Sequence, residues 1–308
     1  VTDVRRQETL RHLAPRERTA ISTLLDRAHQ ADGHPALNDH LLVDLHHEPV
    51  APRTHIVAVT DGDALLAHGQ ASHVGGTWVI GLVIDPDHRG ETIAIGTDVI
   101  SDLLGHIAAD GGGHVNWWVA DPTLDHETIA AVVGLNPGRE LLQMRRGLSG
   151  VSSPDIATRT FVVGADEAAW LEVNNRAFAG HDEQGNWDID TLRARQTEPW
   201  FEPEGFVLHE RDDRLAGFCW TKVHRDEQPP AGEIYVIGVD PDFHGLGLGR
   251  ALTVAGLHNM VERGITQAVL FVDATNAAAR TLYDSLGFVV HRRDLAFTAD
   301  LDPTPDPT

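Results

Sequence analysis

Lysine is almost missing from this 308-residue chain: Lys222 is the only one, and arginine carries nearly all the positive charge. Carboxylates outnumber both, leaving a formal net charge of −22. Neutralising phosphates along a duplex needs a basic surface, so no nucleic acid is expected as a partner, and no anionic membrane. Any phosphate-bearing ligand must be held by a local device. Cysteine is as scarce: Cys219 stands alone, which rules out an internal disulfide framework and fits a reducing, cytoplasmic setting. No run of about 18 apolar residues reads as a membrane span. The opening VTDVRRQETLRHL has no apolar core of the kind a signal peptide needs.

What is present suffices for real cores. Hydrophobic residues make up 42%, which excludes wholesale disorder, and the length suits two domains of about 150 residues. The 19 histidines are scattered, and His46-His47-Glu48 lacks the i, i+4 pairing of a zinc-protease site. They read as surface residues, and no metal is expected. Cys219 lies in an apolar strand and reads as core rather than nucleophile.

The chain repeats itself. GLVIDPDHRG (Gly81 to Gly90) resembles VIGVDPDFHG (Val236 to Gly245), placing Asp85-Pro86 and Asp240-Pro241 at an offset of 155. Gly134-Leu135 matches Gly287-Phe288 at an offset of 153. Two landmarks in one order at nearly one offset argue for duplication. The implied boundaries are a first domain over 1–148, a linker over 149–157, a second domain over 158–300 and a disordered tail over 301–308. The Gly-, Ser- and Pro-rich stretch GLSGVSSPDIATRT carries the linker, and LDPTPDPT the tail.

In the second copy Thr160–Val163 reads as a strand, and Asp166 as the N-cap of a helix to about Ala179. The polar loop HDEQGNW leads to a short helix near Asp190. Phe206–Glu210 and Leu215–Val223 read as strands joined by the turn Arg211-Asp212-Asp213-Arg214. Then come strand Glu233–Val239, helix Gly247–Arg263, strand Ala268–Val272, helix Asn276–Leu286 and a closing strand Val289–Phe297. Strands first, then alternating strand and helix, imply an α/β domain with a mixed sheet.

Between strand and helix lies His244-Gly245-Leu246-Gly247-Leu248-Gly249-Arg250. Glycines let backbone turn tightly and approach a ligand, and amide N–H groups at a helix start converge on an anion. Such a loop alone also occurs in dinucleotide folds and plain turns. It lies late in its domain, however, rather than at a first βαβ unit, and no Gly-Lys-Ser/Thr follows. The second segment, Asn276-Ala277-Ala278-Ala279-Arg280-Thr281-Leu282-Tyr283 through Gly287-Phe288, resembles the second signature of the GNAT acetyltransferases, in the right order and spacing.

That resemblance implies two tandem GNAT acyltransferase domains, each a mixed, mostly antiparallel twisted sheet flanked by helices, with acetyl-CoA as co-substrate. It implies that the glycine loop, His244 to Arg250, binds the pyrophosphate. Ile237-Gly238-Val239 would line the thioester, with the Val239 N–H as oxyanion donor, and Asn276 to Thr281 would lie near the pantetheine. His244 stands where the family usually has Arg or Gln, which removes one phosphate contact and leaves the glycine amides. For chemistry, Glu233 is the candidate base, through water, and Tyr283 the candidate acid for the CoA sulfur. Each also has a plain reading, a strand-end glutamate and a helix aromatic packed on the sheet.

The first copy lacks these parts. Thr92, Ala94 and Glu91 stand for Gly247, Gly249 and Leu246, Trp78 for Glu233, and Ala130 for Tyr283. A carboxylate in the phosphate loop would repel CoA, so this copy reads as non-catalytic. Leu82-Val83-Ile84 holds the place of Ile237-Gly238-Val239, which leaves a second acetyl-CoA site open.

A degenerate first copy, an active second one, GEIYVIGVDP, EQGNW and WTKVH together resemble the mycothiol synthase family over nearly the whole chain. That family acetylates the cysteinyl amine of desacetylmycothiol, in the last step of mycothiol biosynthesis. The resemblance implies substrate contacts at Asp39, Glu183, Lys222, Glu233 and Phe271, the last standing where the family has a tyrosine. Glu183 and Lys222 would offer both charge signs to a zwitterionic polyol; as plain residues they are solvated groups. A monomer is expected. Two other readings stand: a GNAT enzyme for another small amine or a protein N-terminus, and a non-catalytic acetyl-CoA sensor.

Overall fold

The β-branched run before each Asp-Pro is a strand, and each Asp-Pro is an anchor. The computed structural model describes residues 6–10, 13–46, 53–74, 76–180, 184–225 and 227–304. Asp85 and Asp240 both accept from the N–H two residues on, of Asp87 and Asp242, and both are buried. Each buried carboxylate is met by an arginine from a preceding helix, Arg27 on Asp85 at 2.6 Å and Arg176 on Asp240 at 3.2 Å. The repeat seen in the sequence is a repeat of this anchor.

Two compact units result, one of residues 1–140 and 293–308, the other of residues 141–292. The first begins with β1 (Arg6–Leu10), α1 (Pro15–Asp32) and α2 (Asp39–His46). It continues through β2 (Thr54–Asp61), β3 (Ala64–Val74), β4 (Thr77–Ile84), α3 (Thr92–Ala109), β5 (Gly113–Ala120) and α4 (Leu124–Val133). Strands β1 to β4 pair antiparallel in sequence order, and β4 pairs parallel with β5. Parallel neighbours need a crossover, which α3 supplies. Its stripe Ile95, Val99, Ile100, Leu103 and Ile107 packs with Trp78 and Trp117 of the sheet. Leu24, Ala28, Leu37 and Leu41 of α1, α2 and their connection cover Val83. The stretch Pro86–Ala109 is long and apolar enough by mean composition to cross a membrane, although Asp98 and Asp102 interrupt it and it is no unbroken apolar run. That buried stripe makes it a core helix.

The chain then runs through β6 (Asn136–Gly147), β7 (Arg159–Thr160), α5 (Glu167–Ala177), α6 (Ile189–Gln196), β8 (Phe206–Arg211) and β9 (Arg214–His224). It ends with β10 (Ala231–Val239), α7 (Leu248–Glu262), β11 (Gln267–Asp273), α8 (Ala277–Ser285) and β12 (Val289–Leu301). The hairpin β8–β9 turns on Asp212 and Asp213, both at positive φ (53° and 57°), as tight primed turns require. In the second unit β7, β8, β9 and β10 pair antiparallel in turn and β10 pairs parallel with β11. Helices α7 and α8 cover one face with an aliphatic core that includes Leu252, Met260 and Leu270. Under α5 and α6 the other face is aromatic: Phe206 stacks on Trp220 at 4.5 Å, and Trp170 meets Phe218 edge-on at 5.2 Å.

The sequence boundaries 1–148 and 158–300 do not match the units, because the last strands are exchanged. Leu141–Gly147 of β6 pairs β11 in the second unit, and Asp294–Leu301 of β12 pairs β5 in the first. A strand is assigned by its hydrogen-bonding neighbour, which a sequence offset does not reveal. The closing strand therefore does not complete the second copy's sheet. Val151 and Ile156 of the supposed linker pack against the second unit's core. Strand β7 stops at Thr160 instead of Val163. Asp166 stands at the N-cap of α5 without a side-chain cap bond, its carboxylate taken by Arg159 and the Val162 N–H. In the tail, Leu301 ends β12 and the Thr304 N–H donates to the Ala108 carbonyl; residues 305–308 lie outside the described residues.

Candidate active site

The site starts where two strands stop pairing. The parallel register of β10 with β11 ends at Ile234 with Leu270, although β10 runs on to Val239 and β11 to Asp273. On the other side β10 stays paired with β9, Val239 lying opposite Gly217. The Asp240 N–H donates to the Ala216 carbonyl at 2.9 Å, which makes Val239–Gly217 a non-hydrogen-bonded pair. The N–H and C=O of Val239, and by alternation those of Ile237, therefore point away from β9 into the gap beside β11. A backbone donor thus faces an opening where an acyl oxygen would need one.

Next to the gap lies the glycine loop. Gly245 and Gly247 have φ of +78° and +75°, and Gly247 is the N-cap of α7. Residues with a Cβ avoid that region at a cost of about 1–2 kcal/mol, so these glycines are dictated by backbone. Gly249 differs: its φ is not positive, and a Cβ there would meet only Leu282 Cδ2 at 3.8 Å. His244, Gly245, Leu246 and Gly247 are exposed, so the first turn of α7 presents its amides outward. This cradle fits an acetyl-CoA pyrophosphate. Other predicted ligands hold internal posts. His244 Nε2 lies 3.1 Å from the Val239 carbonyl, Arg250 donates to Ser285, and Arg280 to the Ala274 carbonyl. Asn276 caps α8 by accepting from the Ala279 N–H at 3.0 Å, which fixes the helix that carries Ala277 to Thr281 and Tyr283.

Tyr283 is buried in the aliphatic core against Phe288. Burial, with Cys219 nearby adding to it, pushes its phenol up to about 12, so it keeps its proton. Burial also pushes the Cys219 thiol up to about 12, which fits core rather than nucleophile.

On the α5 side of the sheet a row of side chains crosses four strands: Arg145, Val269, Glu233 and Lys222 are successive cross-strand partners on β6, β11, β10 and β9. One step along, Phe271 faces Gln143. Lys222 and Glu233 are 8% and 9% exposed, few enough contacts with water for their charges to act on neighbours. Lys222 Nζ sits 4.8 Å above the Trp200 ring. Arg145 donates to Gln143 Oε1 at 3.0 Å and to Glu227 at 2.9 Å.

His224 Nε2 is 2.6 Å from Glu233 Oε2. Burial alone would lower this imidazole, but the hydrogen bond and charge of Glu233 outweigh it and hold it above its ordinary value. Sequence reasoning missed His224 because it ended the strand at Val223. The signal was alternation, since Lys222 and His224 share a face once β9 is one residue longer. Gln143 and Arg145 were missed because β6 was counted with the first copy.

Predicted Glu183 lies outside the described residues; beyond it, Gln184 and Trp187 are tied to α5, Asn174 donating to the Gln184 carbonyl and Asn175 to the Trp187 carbonyl. Asp39 opens α2 in the first unit, and its side chain is outside the described set. Among the described residues no group of His, Cys, Asp or Glu suits a metal ion.

The first unit keeps the frame without these groups. Pairing of β4 with β5 stops at Ile80 with Trp117, and the Asp85 N–H on the Leu66 carbonyl aims the Ile84 amide into a like gap. Leu82-Val83-Ile84 thus matches the splayed strand. Its loop is instead a 3-10 turn, Pro86–Glu91, with no positive-φ glycine. Trp78, wholly buried and stacked on His55, fills the place of Glu233, and buried Ala130 fills that of Tyr283.

A splayed β strand leading to a glycine-lined helix start is the frame of a GNAT acyltransferase, and residues 169–288 match the acetyltransferase (GNAT) family model. The whole chain is similar to the mycothiol acetyltransferase of Streptomyces coelicolor, 40% identical over 95% of both chains. It is also 40% identical to the mycothiol acetyltransferase of Kocuria rhizophila, over 86% of this chain and 90% of that one. The chain belongs to this acetyltransferase family. Among solved structures, a GCN5-related N-acetyltransferase from Sphaerobacter thermophilus has a TM-score of 0.71 at 21% identity, covering 98% of each chain. A tandem GNAT protein from the clavulanic acid biosynthesis pathway has a TM-score of 0.71 at 16% identity, covering 97% of this chain and all of that one. These share the fold, two tandem GNAT domains.

Proposed function

We propose that the second unit transfers acetyl from acetyl-CoA directly to the cysteinyl amine of desacetylmycothiol. The observation that carries this reading is the position of Glu233: it lies beside Lys222, on the same strand that opens at Ile237–Val239 next to the glycine loop. Similarity to the mycothiol acetyltransferases supports the acceptor.

Acetyl-CoA supplies an activated thioester carbonyl. Glu233 takes the ammonium proton, directly or through water, and leaves a neutral amine. An α-amine has a reference pKa of about 7.7–8.0, so a modest base suffices near neutrality. The Val239 N–H stabilises charge growing on the acyl oxygen. Tyr283 donates a hydrogen bond to the sulfur as it becomes anionic, and the second proton, shed by the attacking nitrogen as the amide forms, ends on the thiolate. A phenol near 12 against a free thiol of about 8.5 leaves full transfer uphill by roughly 5 kcal/mol. Its hydrogen bond therefore acts while the carbon–sulfur bond breaks. Lys222 and Phe271 flank the acceptor. The first unit, with Trp78 and Ala130 at the two chemical positions, serves no acyl transfer of its own.

The test is a pH–rate profile of Glu233→Gln with desacetylmycothiol and a panel of other amines. The variant should lose turnover, most at low pH, and keep acetyl-CoA affinity. A wild-type profile in height and shape would remove Glu233 from the mechanism, and equal wild-type rates across the panel would remove the acceptor.

A further inference from the structure

We infer that His224 is a positioning residue for this acyl transfer: bonded through Nε2 to Glu233 Oε2, it aims the carboxylate and makes the two side chains one proton-accepting site. The inference rests on Glu233 being the base. Geometry carries it. His224 lies across from Ala231, two residues before Glu233 on the same face of β10, so the 2.6 Å bond spans a diagonal of the hairpin and fixes one carboxylate oxygen. On this inference the other oxygen is the one offered to the acceptor. The imidazole side chain is 25% exposed, which gives its proton a path to water.

A lone carboxylate, with a reference pKa of about 4.3, is some 3–4 units less basic than the amine it must deprotonate; an imidazole at about 6.5 is within roughly 1.5. In the reaction one ammonium N–H bond breaks, its electron pair stays on nitrogen, and the proton is held by the His224–Glu233 pair, whose net charge goes from −1 to zero. The charged groups around the imidazole are Glu233 on β10, Lys222 on β9 and Glu227 in the β9–β10 connection, itself held by Arg145 of β6. Two carboxylates against one ammonium favour the imidazolium, and burial opposes it.

The experiment compares pH profiles of kcat/KM for wild type, His224→Gln and Glu233→Gln, each checked for acetyl-CoA affinity by calorimetry. Wild type should show an acidic limb centred above 6.5. His224→Gln, which keeps a hydrogen-bond donor but does not titrate, should bind acetyl-CoA within about twofold. It should lose on the order of tenfold or more in rate, with the acidic limb moved down by about a unit or more. Free imidazole should restore part of the rate of His224→Ala. A rate loss with an unmoved limb and no imidazole rescue would reduce His224 to a structural role and overturn the inference. So would a wild-type profile in His224→Gln alongside a collapsed Glu233→Gln. A wild-type profile in Glu233→Gln would bring down the base assignment, and this inference with it.

Discussion

Phe271 of β11 lies directly across from Gln143 of β6, so a strand that the sequence counts with the first copy builds the proposed acceptor face of the second unit. Removing it should unmake that unit. A fragment starting at residue 149 would leave β11 without its β6 partner from Gln267 to Asp273, paired only with β10 as far as Leu270, and strip Leu142, Met144 and Leu148 from the core. Three such side chains stabilise by about 1.5–3 kcal/mol each when fully buried, together comparable to the roughly 5–15 kcal/mol of an entire domain. The fragment is expected to lack cooperative thermal unfolding and acetyl-CoA binding, whereas one starting at residue 136 regains pairing along β11. Circular dichroism melts of both fragments check this; a cooperative transition in the shorter fragment at the temperature of the longer would refute it.

The glycine loop separates backbone need from ligand need. Gly247→Ala forces a Cβ into the left-handed region and should cost about 1–2 kcal/mol of stability. Gly249→Ala meets no strain and no close neighbour, and replaces a helical glycine, so it should stabilise by up to about 1 kcal/mol. It should nonetheless weaken acetyl-CoA binding, since on the proposed loop assignment the added methyl stands where the pyrophosphate approaches. Melting temperature and calorimetric affinity are measured on the same preparation. A stabilised Gly249→Ala with undiminished affinity would sink the loop assignment.

Much of this was legible in the sequence where local rules suffice. The Asp-Pro anchors, the glycine loop and the Asn276 cap each occupy a few consecutive residues, and each element of the second copy fell within a few residues of its place. The exchange of β6 and β12 was illegible, because an apolar strand carries no mark of which neighbour it will join. The same limit hid Gln143 and Arg145. His224 was lost to a strand end drawn one residue short, and strand ends are where pattern is weakest. In the first unit, Trp78 in place of Glu233 was readable, but the buried polar row His68, Gln70 and Ser72 on β3 was not.

That row makes acid stability measurable. His68 is fully buried, and burial lowers its imidazole to about 4, with the Gln70 hydrogen bond opposing weakly. The unfolded imidazole titrates near 6.5, so between about 4 and 6.5 the unfolded state binds more protons and stability rises with pH. The contribution is complete above 6.5 and is lost as pH falls towards 4, by up to about 3 kcal/mol. His68→Leu removes this linkage and a ring nitrogen, Nδ1, that has no hydrogen-bond partner among the described residues. Urea midpoints at pH 7 and pH 5 should differ less in the variant than in wild type. Equal differences would place the acid sensitivity elsewhere.

Tyr283 offers the sharpest test of the acid role, because its packing and its hydroxyl can be separated. Tyr283→Phe keeps the ring against Phe288 and in the core of α8, so fold and acetyl-CoA affinity should persist. What is lost is the proposed donor to the sulfur, and a hydrogen bond that strengthens as charge forms is worth about 10²-fold or more in turnover. With the phenol pushed up to about 12, it stays protonated across the working range. Wild type should accordingly show no alkaline limb from Tyr283 below about pH 10, and any limb there must survive in Tyr283→Phe. The measurement is single-turnover acetyl transfer against pH for both proteins. A rate within about twofold of wild type would mean the thiolate, with a reference pKa near 8.5, departs unaided. Loss of an alkaline limb below pH 10 in the variant would mean that this phenol ionises more easily than its burial allows.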